Sequence, residues 1–491
     1  MAARGPPCDH TSVPHAREPL TPPNISTHPA LDRAHHHATR WLDGLDTRSV
    51  AATTTLEQLR ARLGVPLTNR GVDAVRVIDE LNAATEGGLN GSPSGRFFAW
   101  VIGGTLPSAI AADWLTSAWD QNAGMFATAP AAAIVEEVVG RWLLDLFELP
   151  GDASFALVTG CQMAHVTALA VARHALLRRV GWDVEQDGLF GAPAIRVIAT
   201  EGRHHTLDRA MRFLGLGERS LHLIESDHRG CATQPALEQA LREHDGPKLV
   251  VLAAADLNAG EFDSFRTLIP IARAAGAWVH VDGAFGLFAR TSAAKRHLVD
   301  GVEQADSWAT DAHKWLNAPY DSGIAIVRDR DAHRTAMTLH ASYLPPSDSG
   351  RDAVDFNPEL SRRARGFALY ASLRELGRDG VADVVDRCCA HCHAIVTGIG
   401  ALAGAEVVVE PVLNQGLVRF PSRRTGASDA EHDARTDAVI AAINATGEAF
   451  FGGVTWKGRR AMRVSVVNWR TNEHDVARTI EAVRHVLDEM R

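Results

Sequence analysis

Beyond residue 150, short apolar runs alternate with stretches whose apolar residues recur at helical spacing. Phe155 to Thr159, Ile195 to Thr200, Leu221 to Glu225, Leu249 to Ala254, Ala277 to Asp282 and Gly323 to Val327 read as buried strands. Between them the spacing predicts helices ending near Val180, Leu214 and His244, and one from Ser264 to Ala275. A further helix is expected over about residues 291 to 304, followed by one more strand. Strands separated by roughly ten to fifteen helical residues make an α/β domain whose mostly parallel sheet is covered on both faces.

Upstream, Ala129 to Leu149 predicts a long helix, and Ser94 to Leu106 (SGRFFAWVIGGTL) opens the large domain with an aromatic patch and a Gly-Gly turn. Leu31 to Leu45, TRSVAATTTLEQLRARLG and VDAVRVIDELNAATEGG predict three amphipathic helices, which cannot bury their apolar faces alone. Residues 1 to about 30 are Pro-rich and lack periodicity, as a disordered or draping arm does. From about Arg374, helices alternate with short strands over Glu406 to Val409, Gly416 to Phe420 and Ala461 to Val467. The expected division is therefore an N-terminal arm with a helical segment (1–90), a large domain (91–373) and a small C-terminal α+β domain (374–491). No internal repeat is visible.

Composition narrows the class of function. A chain of 491 residues with 46% hydrophobic and 22% charged residues is ordinary for a soluble globular protein with more than one core. A net charge of −9, without a lysine-arginine stripe, argues against a nucleic-acid partner. No run of about eighteen apolar residues is present to span a membrane, and the first thirty residues or so carry no apolar signal region. Six cysteines in so long a chain are no disulfide framework, so a reducing cytoplasm is expected. Cys388, Cys389 and Cys392 alternate with His391 and His393, but they share helical spacing with Val384, Val385, Ile395, Val396 and Ile399. That pattern favours a buried helix face over a zinc site. The run His35-His36-His37 reads as a solvated helix surface.

The candidate chemistry centres on DSWATDAHKWLNAPYDSG, Asp306 to Gly323. Lys314 lies between apolar runs, where desolvation lowers a lysine pKa and supplies the neutral amine that a carbonyl cofactor takes up as a Schiff base. Upstream, the apolar strand in AWVHVDGAF ends in Asp282 followed by Gly283 and Ala284, and an acid there points into the crevice where open α/β sheets bind ligands. One crossover separates Asp282 from Lys314, so the two can face one ligand. Thr159-Gly160-Cys161-Gln162 joins a strand to a helix, and the amides that open a helix suit a phosphate. In EGRHHTLDRA, His204 or His205 follows a strand end.

HVDGAFG followed by DSWATDAHKWLNAPYDSG resembles the pyridoxal-phosphate-dependent amino-acid decarboxylases of the aromatic amino acid, histidine and glutamate decarboxylase group (group II). The resemblance runs over roughly residues 46 to 488, and LSRRARGFALYASLRELG and AMRVSVVNWRT also match family-typical segments. It implies the fold of type I pyridoxal-phosphate enzymes and a homodimer in which the N-terminal helices wrap the partner. The cofactor would be pyridoxal 5'-phosphate on Lys314, with Asp282 paired to the ring nitrogen and Ala284 beside it. His204 would stack on the ring, in the register that aligns Ala210. Gly160, Cys161, Gln162, Asp311 and His313 would hold the phosphate. Tyr343, in the polar HASYLPP stretch, aligns with the tyrosine of a mobile loop that protonates the product.

This sequence departs from the family at Cys161 for Gly, Gln162 for a hydroxyl residue, His165 for Asn and Asp311 for Asn, and Ala255-Asp256-Leu257 replaces Gly-Thr-Thr. The reaction implied is decarboxylation of an L-amino acid at Cα to the amine and CO2. Aldehyde formation with oxygen, retro-aldol cleavage, transamination and a catalytically dead dimeric binding protein stand as alternatives. Arg96, where aromatic-specific relatives carry an aromatic residue, is either a contact for an acidic or polar substrate or a structural arginine.

Overall fold

The computed structural model describes residues 27–338 and 350–490, with side chains from residue 29. The described residues up to 45, together with 52–89, form one compact unit, and residues 46–51 with 90–490 form the other. The first unit holds α1 (Thr27–Asp43), α2 (Leu56–Leu63) and α3 (Ala74–Thr85). Thr55 and Gln58 close a capping box on α2, and the Asp73 carboxylate accepts the N–H groups of Val75 and Arg76 at the start of α3. Neither α2 nor α3 has a buried residue, and Leu56, Leu67 and Leu81 are exposed. α2 and α3 are capped but their apolar faces are open. In the histidine run, His37 Nε2 lies 2.7 Å from Asp79 Oδ1, which ties α1 to α3.

The second unit begins with α4 (Pro107–Trp119) and α5 (Pro130–Leu146). There follow β1 (Ser154–Val158), α6 (Cys161–Arg179), the short α7 (Val184–Asp187), β2 (Arg196–Thr200), α8 (His205–Phe213), β3 (Leu221–Ile224), α9 (Gln234–Arg242) and β4 (Lys248–Ala253). Next come α10 (Phe265–Ala274), β5 (Trp278–Asp282), β6 (Ser307–Asp311), the single turn α11 (Ala312–Trp315), β7 (Gly323–Val327) and α12 (Arg330–Met337). Seven strands make one sheet in the order β1-β7-β6-β5-β4-β2-β3. Pairing is parallel from β3 through β6, and β7 runs antiparallel to both neighbours. Alternate residues of each strand enter opposite cores: Ile198, Val250 and Val279 pack with Phe147 and Phe265, whereas Val197, Leu249 and Trp278 pack with Leu169 and Met211. Burial on both faces explains why these strands read as continuous apolar runs.

The chain closes with α13 (Gly366–Gly400), β8 (Glu406–Val409), β9 (Gln415–Arg419), α14 (Asp429–Thr446), β10 (Gly452–Trp456), β11 (Arg459–Ser465) and α15 (Glu473–Glu489). Its four strands form an antiparallel sheet in the order β10-β11-β9-β8. α13 breaks at Gly377 (φ 62°, ψ −174°), just past the expected boundary at 373/374. Cys388, Cys389 and Cys392 lie on its buried face.

Three local expectations need correction or addition. The helix expected over 291–304 is absent. Three 3-10 turns, Gly286–Thr291, Arg296–Val299 and Val302–Gln304, carry the crossover instead. Gly301 sits at φ 90°, which no helix continues through. α4 escaped the sequence pattern because it keeps Trp114, Leu115 and Trp119 on its exposed side, and β10 because two glycines open it.

One buried ion pair ties the sheet to its covering helices. Arg362 donates to Glu136 Oε1 (2.6 Å) and to the carbonyls of Ala123 (2.7 Å) and Leu157 (2.6 Å), and both side chains are almost wholly buried. Arg362→Met should strand the Glu136 charge and cost about 3 kcal/mol, seen as a lower urea midpoint. Glu136→Gln combined with Arg362→Met should recover most of the loss.

Candidate active site

The described candidates for holding the cofactor lie at the carboxyl edge of the sheet. Gly160 follows β1, His204 follows β2, Ala255 follows β4, Asp282 ends β5, and Asp311 to Lys314 follow from β6. This is the edge at which open α/β sheets bind ligands. Gly160, Cys161, Gln162, His204, Asp282, Ala284, Asp311, His313 and Lys314 line one cavity of about 310 Å³ there. Two glycines allow the close packing this needs. A Cβ on Gly323 would fall 2.4 Å from Gly160 Cα, and one on Gly103 would fall 2.3 Å from the Lys314 carbonyl oxygen.

Lys314 Nζ lies 3.0 Å from Asp311 Oδ2 and over the Phe285 ring at 5.5 Å from its centroid. Burial by itself pushes the ammonium down, but Asp311, Cys161 and Asp282 outweigh it and the net shift is upward. The expectation of a depressed lysine is thus overturned, because Asp311 stands one turn away on the same strand-to-helix bend. The other oxygen of Asp311 accepts the Cys161 N–H at 2.6 Å, and His313 Nε2 is 3.5 Å from it. An acid therefore occupies the amide that opens α6, the place read from the sequence as an anion site.

His313 stacks on Tyr320 (4.3 Å between centroids) and accepts the Ser322 N–H on Nδ1 at 3.3 Å. Burial lowers its imidazole, against Asp311, which raises it. Gln162 donates to the Thr206 carbonyl at 3.2 Å, while its buried Oε1 finds no partner. The Cys161 thiol is pushed well above its ordinary value by burial, then by Asp311 and Asp282, and so stays protonated.

Asp282 is ionised: burial opposes this, but His165, His204 and the Ala284 N–H (3.2 Å) outweigh it and hold the carboxyl below the usual carboxylate range. Its Oδ2 lies 3.5 Å from His165 Nε2. His165 Nδ1 is in turn 2.9 Å from His280 Nε2, and burial pushes the His280 imidazole down to about 3. His204 caps α8, its Nδ1 taking the Thr206 N–H (3.3 Å) beside the Thr206 hydroxyl (2.8 Å). The protein around His204 lowers its imidazole, and Asp282 opposes that. His205 points outward, so His204 is the histidine in the cleft.

The remaining sequence expectations fare differently. Tyr343 lies outside the described residues. Arg96 does not line the cleft: its guanidinium is buried among the Glu448 carbonyl and carboxylate, the Asp46 carbonyl (3.1 Å) and Asp475 (3.8 Å), so the structural reading holds and the substrate contact does not. Ala255 adopts φ 66°, a conformation that favours glycine, which accounts for the glycine of relatives there. Asp256 folds its own turn by accepting the N–H groups of Asn258 (2.8 Å), Ala259 (3.0 Å) and Glu261 (3.0 Å).

Sequence reading missed Arg203, Thr206 and Tyr320, and the placement of His280. His280 carried a usable signal, since it precedes Asp282 by two positions and so shares its strand face. The chain holds only four lysines, Lys248, Lys295, Lys314 and Lys457, and one of them is in this cleft.

These residues fit pyridoxal phosphate. A lysine amine and an ionised buried carboxylate face one cavity. Asp311 is the member that fits an anion poorly. Comparison with known proteins agrees on the cofactor. An aromatic-L-amino-acid decarboxylase of Bacillus atrophaeus is 23% identical over 457 residues, covering 91% of this chain and 93% of its own. An L-2,4-diaminobutyrate decarboxylase of Rhizobium meliloti is 29% identical over 393 residues, covering 78% and 76%. The crystal structure of Oryza sativa TDC with PLP and tryptamine superposes with a TM-score of 0.88 at 22% identity, over 97% of this chain and 100% of that one, which fixes the fold. The model of the pyridoxal-dependent decarboxylase conserved domain matches residues 58–422, and the chain belongs to that family of pyridoxal-phosphate enzymes.

Proposed function

We propose that this protein removes the α-carboxylate of an L-amino acid as CO2 and returns the amine. The observation that carries the reading is that Lys314 and the ionised Asp282 face one cavity from the ends of adjacent strands. Bound pyridoxal phosphate supplies an electron sink for the pair released at Cα. Lys314 Nζ would be the point of attachment, and Asp282, held ionised, would keep the ring nitrogen protonated. His204 would cover the ring, Ala284 fixes Asp282 through its N–H, and Gly160, Cys161, Gln162, Asp311 and His313 would hold the phosphate. Tyr343 returns the proton to Cα. The open faces of α2 and α3 support a homodimer in which a second copy covers them. No described helix is long and apolar enough to cross a membrane, and the five described cysteines are free, which accords with a cytoplasmic protein.

CO2 and amine should both appear when the holoprotein is offered a panel of aromatic, acidic and diamino acids, with one class turned over fastest. Tyr343→Phe should still release CO2 from that substrate, while in air the amine yield falls and aldehyde, ammonia and peroxide rise. Unchanged amine yield would move the proton donor elsewhere. Wild-type protein that already gives aldehyde would replace the amine-forming reading.

Asp311 generates a second expectation. Its charge opposes the cofactor phosphate and holds Lys314, so Asp311→Asn should tighten pyridoxal phosphate binding by about tenfold, about 1.4 kcal/mol. Titrating the apoprotein with cofactor checks this, and equal affinity would place the phosphate away from Asp311.

A further inference from the structure

Behind Asp282 runs a line of buried groups that the reaction does not touch. Trp278 Nε1 donates to Ser307 Oγ at 2.9 Å, and Ser307 Oγ lies 2.9 Å from His280 Nδ1. His280 Nε2 is 2.9 Å from His165 Nδ1, and His165 Nε2 ends the line 3.5 Å from both Asp282 Oδ2 and Cys161 Sγ. Ser307, His280 and His165 are fully buried and Trp278 nearly so.

The direction of this line follows from its first member. An indole N–H only donates, so Ser307 accepts from it, and among the described contacts His280 Nδ1 is the partner left for the hydroxyl hydrogen of Ser307. His280, neutral under burial, then carries its hydrogen on Nε2 and gives it to His165 Nδ1. His165 is left with a hydrogen on Nε2, aimed at Asp282. The line therefore fixes the His165 ring and turns its Nε2 edge toward Asp282.

We infer that His165, oriented by His280, Ser307 and Trp278, is a positioning residue that fixes the Asp282 carboxylate from its Nε2 edge and so sets that carboxylate for the ring nitrogen of the cofactor. The inference rests on the reading that Asp282 meets the ring nitrogen. It also accounts for His165, one of the departures from the family pattern.

The test uses full-length protein and reads cofactor affinity and the visible absorbance of the holoprotein. His165→Leu removes the donor and should weaken cofactor binding by about tenfold. His165→Gln, whose amide can accept from His280 and donate to Asp282, should stay close to wild type. Ser307→Ala, which leaves the fold's packing nearly intact, should weaken binding severalfold and alter the absorbance, because His280 and through it His165 lose the contact that orients them. Equal loss in the leucine and glutamine variants, or no loss in Leu and Ser307→Ala, overturns the inference. Asp282→Ala separates the two readings: if it leaves affinity unchanged, the placement of Asp282 fails, and if it alone lowers affinity, only the histidine line fails.

Discussion

A carboxylate at the end of a buried strand costs several kcal/mol unless something matches its charge. Asp282 is in that position at the end of β5, and much of the site can be understood as the set of groups that make its ionised form tolerable. The Ala284 N–H comes from the turn that leaves β5, His165 from the first turn of α6, and His204 from the start of α8. The connections that follow β1, β2 and β5 at one edge of the sheet thus each supply a group that favours this carboxylate.

The opposite end of the cavity holds the second acid. Asp311 gathers the Cys161 N–H, Lys314 and His313, three donors that would each serve an anion. It satisfies the α6 terminus and the lysine ammonium together. A cofactor that attaches to Lys314 must break that ion pair, so the charge of Asp311 enters the loading step as a direct competitor.

The sheet was legible because strands buried on both faces leave continuous apolar runs, as in Ile195 to Thr200 and Leu249 to Ala254. Lys314 and Asp282 were legible from the apolar runs that precede them and from the family resemblance. Other features depend on neighbours distant in the chain. Arg96 was claimed by Glu448 and Asp475 far downstream, and the line from Trp278 to His165 joins β5, β6 and α6. The crossover over 291–304 misled because residues such as Leu298, Val299 and Val302 keep apolar spacing while Gly301 breaks the helix they suggest.

Reduction of the cofactor-loaded protein with borohydride, followed by peptide mapping, tests the central placement most directly. With only Lys248, Lys295, Lys314 and Lys457 in the chain, the assignment is unambiguous. The account predicts that the cofactor label is found on Lys314. A label on any of the other three, or none at all, would contradict it.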